Sequence, residues 1–423
     1  MRVSLSAKPF NRHSFSTLWL DGTAGRVGSL EQASAAVLLG LAGAATLTTW
    51  VRSPLPAWGY ALGVFLLAGM WTARDTLTTP APRITLPGAA LAAISLWGFV
   101  QMGLVQLGMA ATVYRYATLD AAVRTAALGA TALAASRALR SERLRLQFLT
   151  AFAWFGFAVS LVAVLAFFTS PGRVLWVFPS PYPDTWGPFL SRNDFAGFLG
   201  LSFPVACWLG LRERPSGVSP WIPTPISAWI PAWMLAAGVA SASRAGAILL
   251  VGEAIAIFAI TPRPRAMGKV VIAAAVFIAI TGAGTLLGRL GDPDPLSYRR
   301  EIARSTVEMI AAHPWRGFGV GTFAQVYPAY ASFDAGAAVE HAHNDWLEWA
   351  AGGGVLYAAA WAVLALALSA PAVRSVWGLG IMAAFLHALV DYPFARFGLT
   401  AWTFALIGAL DADSLRELRG RVH

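Results

Sequence analysis

The stretch Gln147–Thr169, QFLTAFAWFGFAVSLVAVLAFFT, runs for 23 residues without an Asp, Glu, Lys or Arg. About 20 such residues in a helix cross the hydrocarbon core of a bilayer. Further apolar runs lie at 33–51, 56–73, 85–107, 117–136, 193–211, 224–240, 245–262, 268–288, 346–369, 375–390 and 397–411. The chain is 57% hydrophobic and only 12% charged, where a soluble domain carries about 25% charge. Its mean hydropathy is +0.60. The expectation is an all-α, polytopic membrane protein with about twelve transmembrane helices.

An even number of crossings puts both ends of the chain on one side. With that side cytoplasmic, 19 of the 31 Lys and Arg fall inside, and 5 of the other 12 sit in one long external loop. The short loops are thus strongly biased, as positive-inside topology requires. The expected organisation is a cytoplasmic tail at 1–32, nine helices over 33–288, an external loop at 289–345, three helices over 346–411 and a cytoplasmic tail at 412–423. The net charge of +10 reads as this topology signal, and nucleic-acid binding is not expected. The N-terminal tail lacks the apolar core of a signal peptide. The single Cys207 lies inside a span and has no internal disulfide partner. Without an internal repeat, a transporter of inverted-repeat design gains no support.

Two external loops exceed connector length. The first, about 171–192, is rich in Pro and aromatics. In the second, Asp292-Pro293-Asp294-Pro295 reads as a stiff turn, and Ser297 is placed to cap a helix over about 298–312. Ile302, Thr306, Met309 and Ile310 share one face of that helix; Arg300, Arg304 and Glu308 share another. Pro314 follows, then Gly317-Phe318-Gly319-Val320-Gly321. These glycines lack the strand-turn-helix setting of a nucleotide loop and read as a tight turn.

Only 6 His occur in the chain, and two of them stand together in Glu340-His341-Ala342-His343-Asn344-Asp345, where the loop re-enters an apolar run. Ionisable groups at a membrane edge are costly unless solvated, paired or functional. No Cys or third ligand lies nearby, so zinc is not expected. The second signal is a set of external arginines that the positive-inside rule disfavours: Arg192, Arg244, Arg299, Arg300 and Arg396. Guanidinium forks grip phosphates in bidentate fashion, so this set, on the face that carries His343, reads as an anion site. Asp391 sits at an external helix end and can join it. Asp120 and Arg124 are spaced to pair with each other, and Glu253 in mid-span reads as a neutral, hydrogen-bonded acid.

The run His343-Asn344, nine residues, Gly354, two residues, Tyr357 matches the signature of the O-antigen ligase superfamily, and the chain resembles that family over roughly 180–410. Further matching stretches are Asn193-Asp194-Phe195-Ala196-Gly197, Ser241-Ala242-Ser243-Arg244, Asp391-Tyr392-Pro393-Phe394, and Arg299 leading through the loop helix to His313-Pro314 and the glycine turn. Two departures are Ala303, where a Trp is usual, and Ser191-Arg192-Asn193, where two Asn often stand. The superfamily holds O-antigen ligases, O-antigen and exopolysaccharide polymerases and protein oligosaccharyltransferases.

The resemblance implies a GT-C-like glycosyltransferase of the bacterial inner membrane with its site on the periplasmic face. The donor would be a glycan on undecaprenyl diphosphate, and the acceptor a hydroxyl of the lipid A core or of another glycan. Transfer would invert the anomeric centre without metal, ATP or other cofactor. His343 would orient or deprotonate the acceptor hydroxyl, and Arg192, Arg244 and Arg299 would hold the diphosphate. Asn193, Arg300, His341, Asn344 and Arg396 join Asp391 as expected substrate contacts or tautomer setters; which of His341 and His343 is the base stays open. Ligase is preferred to polymerase, and a lipid-linked sugar carrier is the rival from another class.

Overall fold

The computed structural model describes residues 28–78, 85–211, 228–261, 264–281, 288, 297–334, 336 and 338–420. The Asp292–Pro295 turn falls outside them. The molecule is all-α, 76% helical, and its only described strands are the two-residue pair Arg173–Val174 and Phe178–Pro179 in the loop after the fifth helix. In chain order the described α-helices are α1 (Ser29–Leu47), α2 (Leu55–Thr78), α3 (Leu86–Gln106), α4 (Arg115–Ala138), α5 (Glu142–Thr169), α6 (Arg192–Gly210), α7 (Trp229–Ala240), α8 (Arg244–Ile260) and α9 (Pro264–Thr281). They continue with α10 (Ser297–Ala312), α11 (Phe323–Val326), α12 (Asp345–Gly353), α13 (Val355–Ser375), α14 (Leu379–His387) and α15 (Phe397–Gly420). Among the described residues five helices are long and apolar enough to cross a membrane: α1, α2 as far as Leu77, α3, α5 and α13.

The centre of the bundle is α15, buried from Leu399 through Leu410. Within lipid, helices associate by close packing and not by the hydrophobic effect, so small residues mark the seams. Here a Cβ on Gly408 would meet the Ala132 carbonyl oxygen of α4 at 2.3 Å. Trp402 stacks on Phe152 of α5 at 4.2 Å, and its indole Nε1 donates to Thr46 Oγ1 of α1 at 2.9 Å.

One expected helix is two. The run read as a single span over 346–369 breaks between α12 and α13 at Gly354, which has φ +81°. A Cβ there would lie 2.2 Å from the Trp315 carbonyl oxygen, so only glycine permits the crossing. The helix α12 therefore belongs with the loop: it packs against α10, and the loop helix starts at Ser297 with Ile302, Thr306 and Met309 buried and Arg300, Arg304 and Glu308 exposed. The glycine turn docks on the end of α12, where Phe318 and Gly319 N–H groups donate to the Ala351 and Gly352 carbonyls at 2.9 and 2.8 Å. Gln101 of α3 closes the joint, donating to the Arg316 carbonyl at 2.7 Å and accepting from Val320 N–H at 2.9 Å. Loop and bundle are thereby fastened together under the histidine segment.

Candidate functional site

Asp391 is the hub of the site. It follows the end of α14 and is 5% exposed, a carboxylate that must find partners. Asn193 Nδ2, one residue into α6, donates to its Oδ2. Arg299 of α10 brings Nη2 to 3.6 Å from Oδ2 and donates from Nη1 to the neighbouring Val390 carbonyl. His343 places Nδ1 3.5 Å from Oδ1, near enough for charge interaction and longer than a full hydrogen bond. His387, one helical turn earlier, has Nε2 at 4.0 Å. Burial alone would raise the Asp391 pKa, but His343 and Arg299 outweigh it and hold the carboxyl down at about 2.

Asn193 extends the cluster to α8. Its Oδ1 accepts from Ser243 Oγ at 2.8 Å, and Ser243 caps α8, accepting from Gly246 N–H. Arg244 is the next residue and is half-buried. The turn into it is strained, since Ala242 has φ +56°. His343 itself has φ +51°, a left-handed conformation that side chains other than glycine avoid and that clusters at functional sites.

A second group stands beside the first. His341 Nδ1 lies 3.0 Å from Glu348 Oε1, and Glu348 Oε2 also accepts from Ala342 N–H at 2.9 Å. Burial lowers the His341 pKa, but the Glu348 charge and hydrogen bond overcome that and leave it raised. The Tyr392 ring joins the two groups: His341 stacks on it at 4.5 Å, His343 meets it edge-on at 4.9 Å, and the Arg396 guanidinium lies over it at 4.6 Å. Arg396 also faces Asp194 Oδ2 at 3.1 Å and donates to the Tyr392 hydroxyl at 2.8 Å.

The structure thus draws His343, Asp391, Arg299 and Asn193 into one cluster, with Arg244 tied on through Ser243, and His341 and Arg396 alongside. Other expected residues are spent differently. Asn344 caps α12, accepting from Leu347 N–H at 3.0 Å and donating to the Leu389 carbonyl at 2.8 Å, so it fixes the helix rather than presenting a free amide. Arg192 is ion-paired with Asp184. Arg300 is exposed. The acids that meet the imidazoles are Glu348 and Asp391, in place of the adjacent Glu340, which is exposed, and Asp345, which is buried and accepts from Phe394 N–H at 2.9 Å. Burial, with Glu348 adding to it, pushes the Asp345 carboxyl well up.

Elsewhere Arg124 pairs with Asp120 at 2.7 Å, as the i, i+4 spacing implies. Glu253 is buried, but neither carboxylate oxygen has a hydrogen-bond partner among the described residues, which corrects the expectation of a hydrogen-bonded acid.

Residues 230–362 match the family model for O-antigen ligase. The match supports membership of the O-antigen ligase superfamily and activity of ligase or polymerase type. It covers the helices α7 to α12, the loop helix, the glycine turn and the first residues of α13. No curated protein matches the chain.

Proposed function

We propose that the protein transfers a glycan from undecaprenyl diphosphate to an acceptor hydroxyl at the outer face of the bacterial inner membrane, and that it acts as an O-antigen ligase. The observation that carries this reading is the convergence on Asp391 of His343 and Arg299 from separate parts of the chain, with the start of α8 held beside them. Twelve crossings with the 289–345 region in the periplasm would put this cluster where the lipid-linked donor is found.

In the proposed reaction Asp391, ionised at any working pH, holds the Nδ1–H of His343, which leaves Nε2 as the basic nitrogen. Nε2 takes the acceptor hydroxyl proton as the oxygen forms its bond to the anomeric carbon. On the opposite face of that carbon the bond to the diphosphate oxygen breaks, and the bonding pair leaves with it, so the configuration inverts. Arg244 and Arg299, with Arg192 once released from Asp184, stabilise the growing charge. One guanidinium 4 Å from a phosphate charge contributes roughly 4 kcal/mol at an effective dielectric of 20. A diphosphate is already a good leaving group, so the reading requires neither a metal ion nor ATP.

Purified protein in vesicles, given lipid-linked glycan and a choice of lipid A core or second lipid-linked glycan, tests this without ATP. Product on the core supports the ligase, and product on the second glycan makes it a polymerase. Translocation without product would replace both with a carrier. His343→Ala should abolish transfer in folded protein, and Arg244→Lys should cripple it because an ammonium cannot fork. Near-normal rates in both variants would remove the site.

A further inference from the structure

The geometry points to a second anion site, one aromatic ring away from His343, that takes a phosphate group carried on the acceptor. A cavity of about 90 Å3 lies where the end of α1 and the start of α2 meet α4 and the start of α15. Thr48, Thr49, Ser53, Arg124 and Arg396 supply its polar wall, with Ala57 among the apolar residues. The space exceeds what a single water needs. It opens at the first turn of α2, a 24-residue helix whose dipole favours negative charge there.

The two guanidiniums are held rigid by different partners. Arg124 Nε donates to Asp120 Oδ2 at 2.7 Å, and Trp58 Nε1 fixes the other carboxylate oxygen at 2.8 Å. Asp120 thus grips Arg124 by one edge, and among the described residues its terminal amino groups carry no hydrogen bond. Arg396 is held by Asp194 and Tyr392. The charged residues that line the cavity are these two arginines, each with one carboxylate beside it, Asp120 and Asp194. The open fork of Arg124 on one wall and the charge of Arg396 on another, backed by hydroxyls, suit a tetrahedral oxyanion.

The occupant is assigned to the acceptor because the donor's diphosphate belongs with Arg244 and Arg299. The Tyr392 ring separates the two places, touching Arg396 at 4.6 Å and His343 at 4.9 Å. An acceptor anchored by a phosphate here reaches His343 from the Tyr392 side, leaving the Asp391 side to the donor. This assignment rests on the transferase reading above; phosphate binding itself does not.

The full chain in detergent free of anionic lipid is titrated with inorganic phosphate against chloride at equal ionic strength, following the unfolding midpoint. Phosphate should raise it, and both Arg124→Gln and Thr49→Leu, which fills the cavity but keeps the arginines, should remove most of the rise. In transfer assays Arg124→Gln should raise KM about tenfold for a phosphorylated acceptor, with kcat within about twofold, and leave KM for the dephosphorylated acceptor unchanged. An equal phosphate response in wild type and both variants overturns the site. An equal KM change for both acceptors overturns the acceptor assignment. So does a stabilisation by phosphatidylglycerol vesicles that depends on Arg124 without any KM change, which gives the cavity to a lipid headgroup. Absence of transfer in wild type, with the phosphate response intact, defeats the transferase reading alone.

Discussion

Replacing Asp391 by Asn separates the hub's charge from its shape. A carboxyl held at about 2 instead of 3.8 is better bound as the anion by about 2 kcal/mol. Because the folded value is depressed, this stability is fully present above pH 3.8 and is lost as pH falls toward 2. Asp391→Asn therefore removes about 2 kcal/mol at neutral pH, and the acid decline of the unfolding midpoint between pH 4 and 2 becomes shallower. The cost to the reaction is larger. His343 Nδ1 faces Oδ1 at 3.5 Å, and an amide nitrogen there would repel the N–H that fixes the tautomer. Loss of a positioned general base costs roughly 10²- to 10⁴-fold, equivalent to about 3 to 5 kcal/mol of barrier. Single-turnover transfer from lipid-linked glycan, measured with the midpoint on the same preparation, reads both quantities. A rate within threefold of wild type would refute the argument that Asp391 serves His343; a large rate loss with an unchanged acid profile would refute its role as an ionised hub.

Three other outcomes follow from the geometry. His341 is raised by Glu348, so their pairing stabilises the fold below pH 6.5 and fades as pH rises through the higher folded value; in His341→Gln the midpoint should lose that alkaline decline. Gly354→Ala puts a Cβ at 2.2 Å from the Trp315 carbonyl on a φ of +81°, and should destabilise by at least about 1 kcal/mol, visible as a lower midpoint or proteolysis near the glycine turn. Asn344→Ala removes the α12 cap and the tie to Leu389, and should cost about 1 kcal/mol with a transfer defect milder than that of His343→Ala, since the Asn344 amide is engaged by Leu347 N–H and the Leu389 carbonyl.

The apolar runs carried most of the helix placement, because a bilayer core admits little else. The loop helix was legible from its 3.6-residue face, and the glycine turn from three residues that all need positive φ. The break at Gly354 was not: Gly352-Gly353-Gly354 sits inside an apolar run, and only the approach of Trp315, distant in sequence, makes that glycine obligatory. His387 was hidden in the same way, as one imidazole in an apolar helix end; its sole sequence sign is the four-residue spacing to Asp391. The pairing of His341 with Glu348 depends on the left-handed residue 343, which turns the chain so that a carboxylate on the first turn of α12 reaches back.

That left-handed turn also explains why two histidines two residues apart serve different acids. In an extended segment His341 and His343 would project from one face and compete for a single partner. With φ +51° at His343 the chain reverses there, His341 falls back over α12 onto Glu348, and His343 swings toward α14 and Asp391. His341 is thereby oriented through Nδ1 by Glu348 at 3.0 Å while His343 Nδ1 faces Asp391 at 3.5 Å, and the Tyr392 ring keeps their planes apart, at 21° to one and 75° to the other. The strain is sustained because both ends of the turn are anchored, at Ala342 N–H by Glu348 and at Asp345 N–H by the Ala388 carbonyl at 2.9 Å. A glycine at 343 would relax the backbone but lose the imidazole, so a histidine in this conformation has to be supported by its neighbours; one of them, Asp391, whose carbonyl also accepts from Asp345 N–H at 3.3 Å, is the residue whose carboxylate meets Arg299 and Asn193.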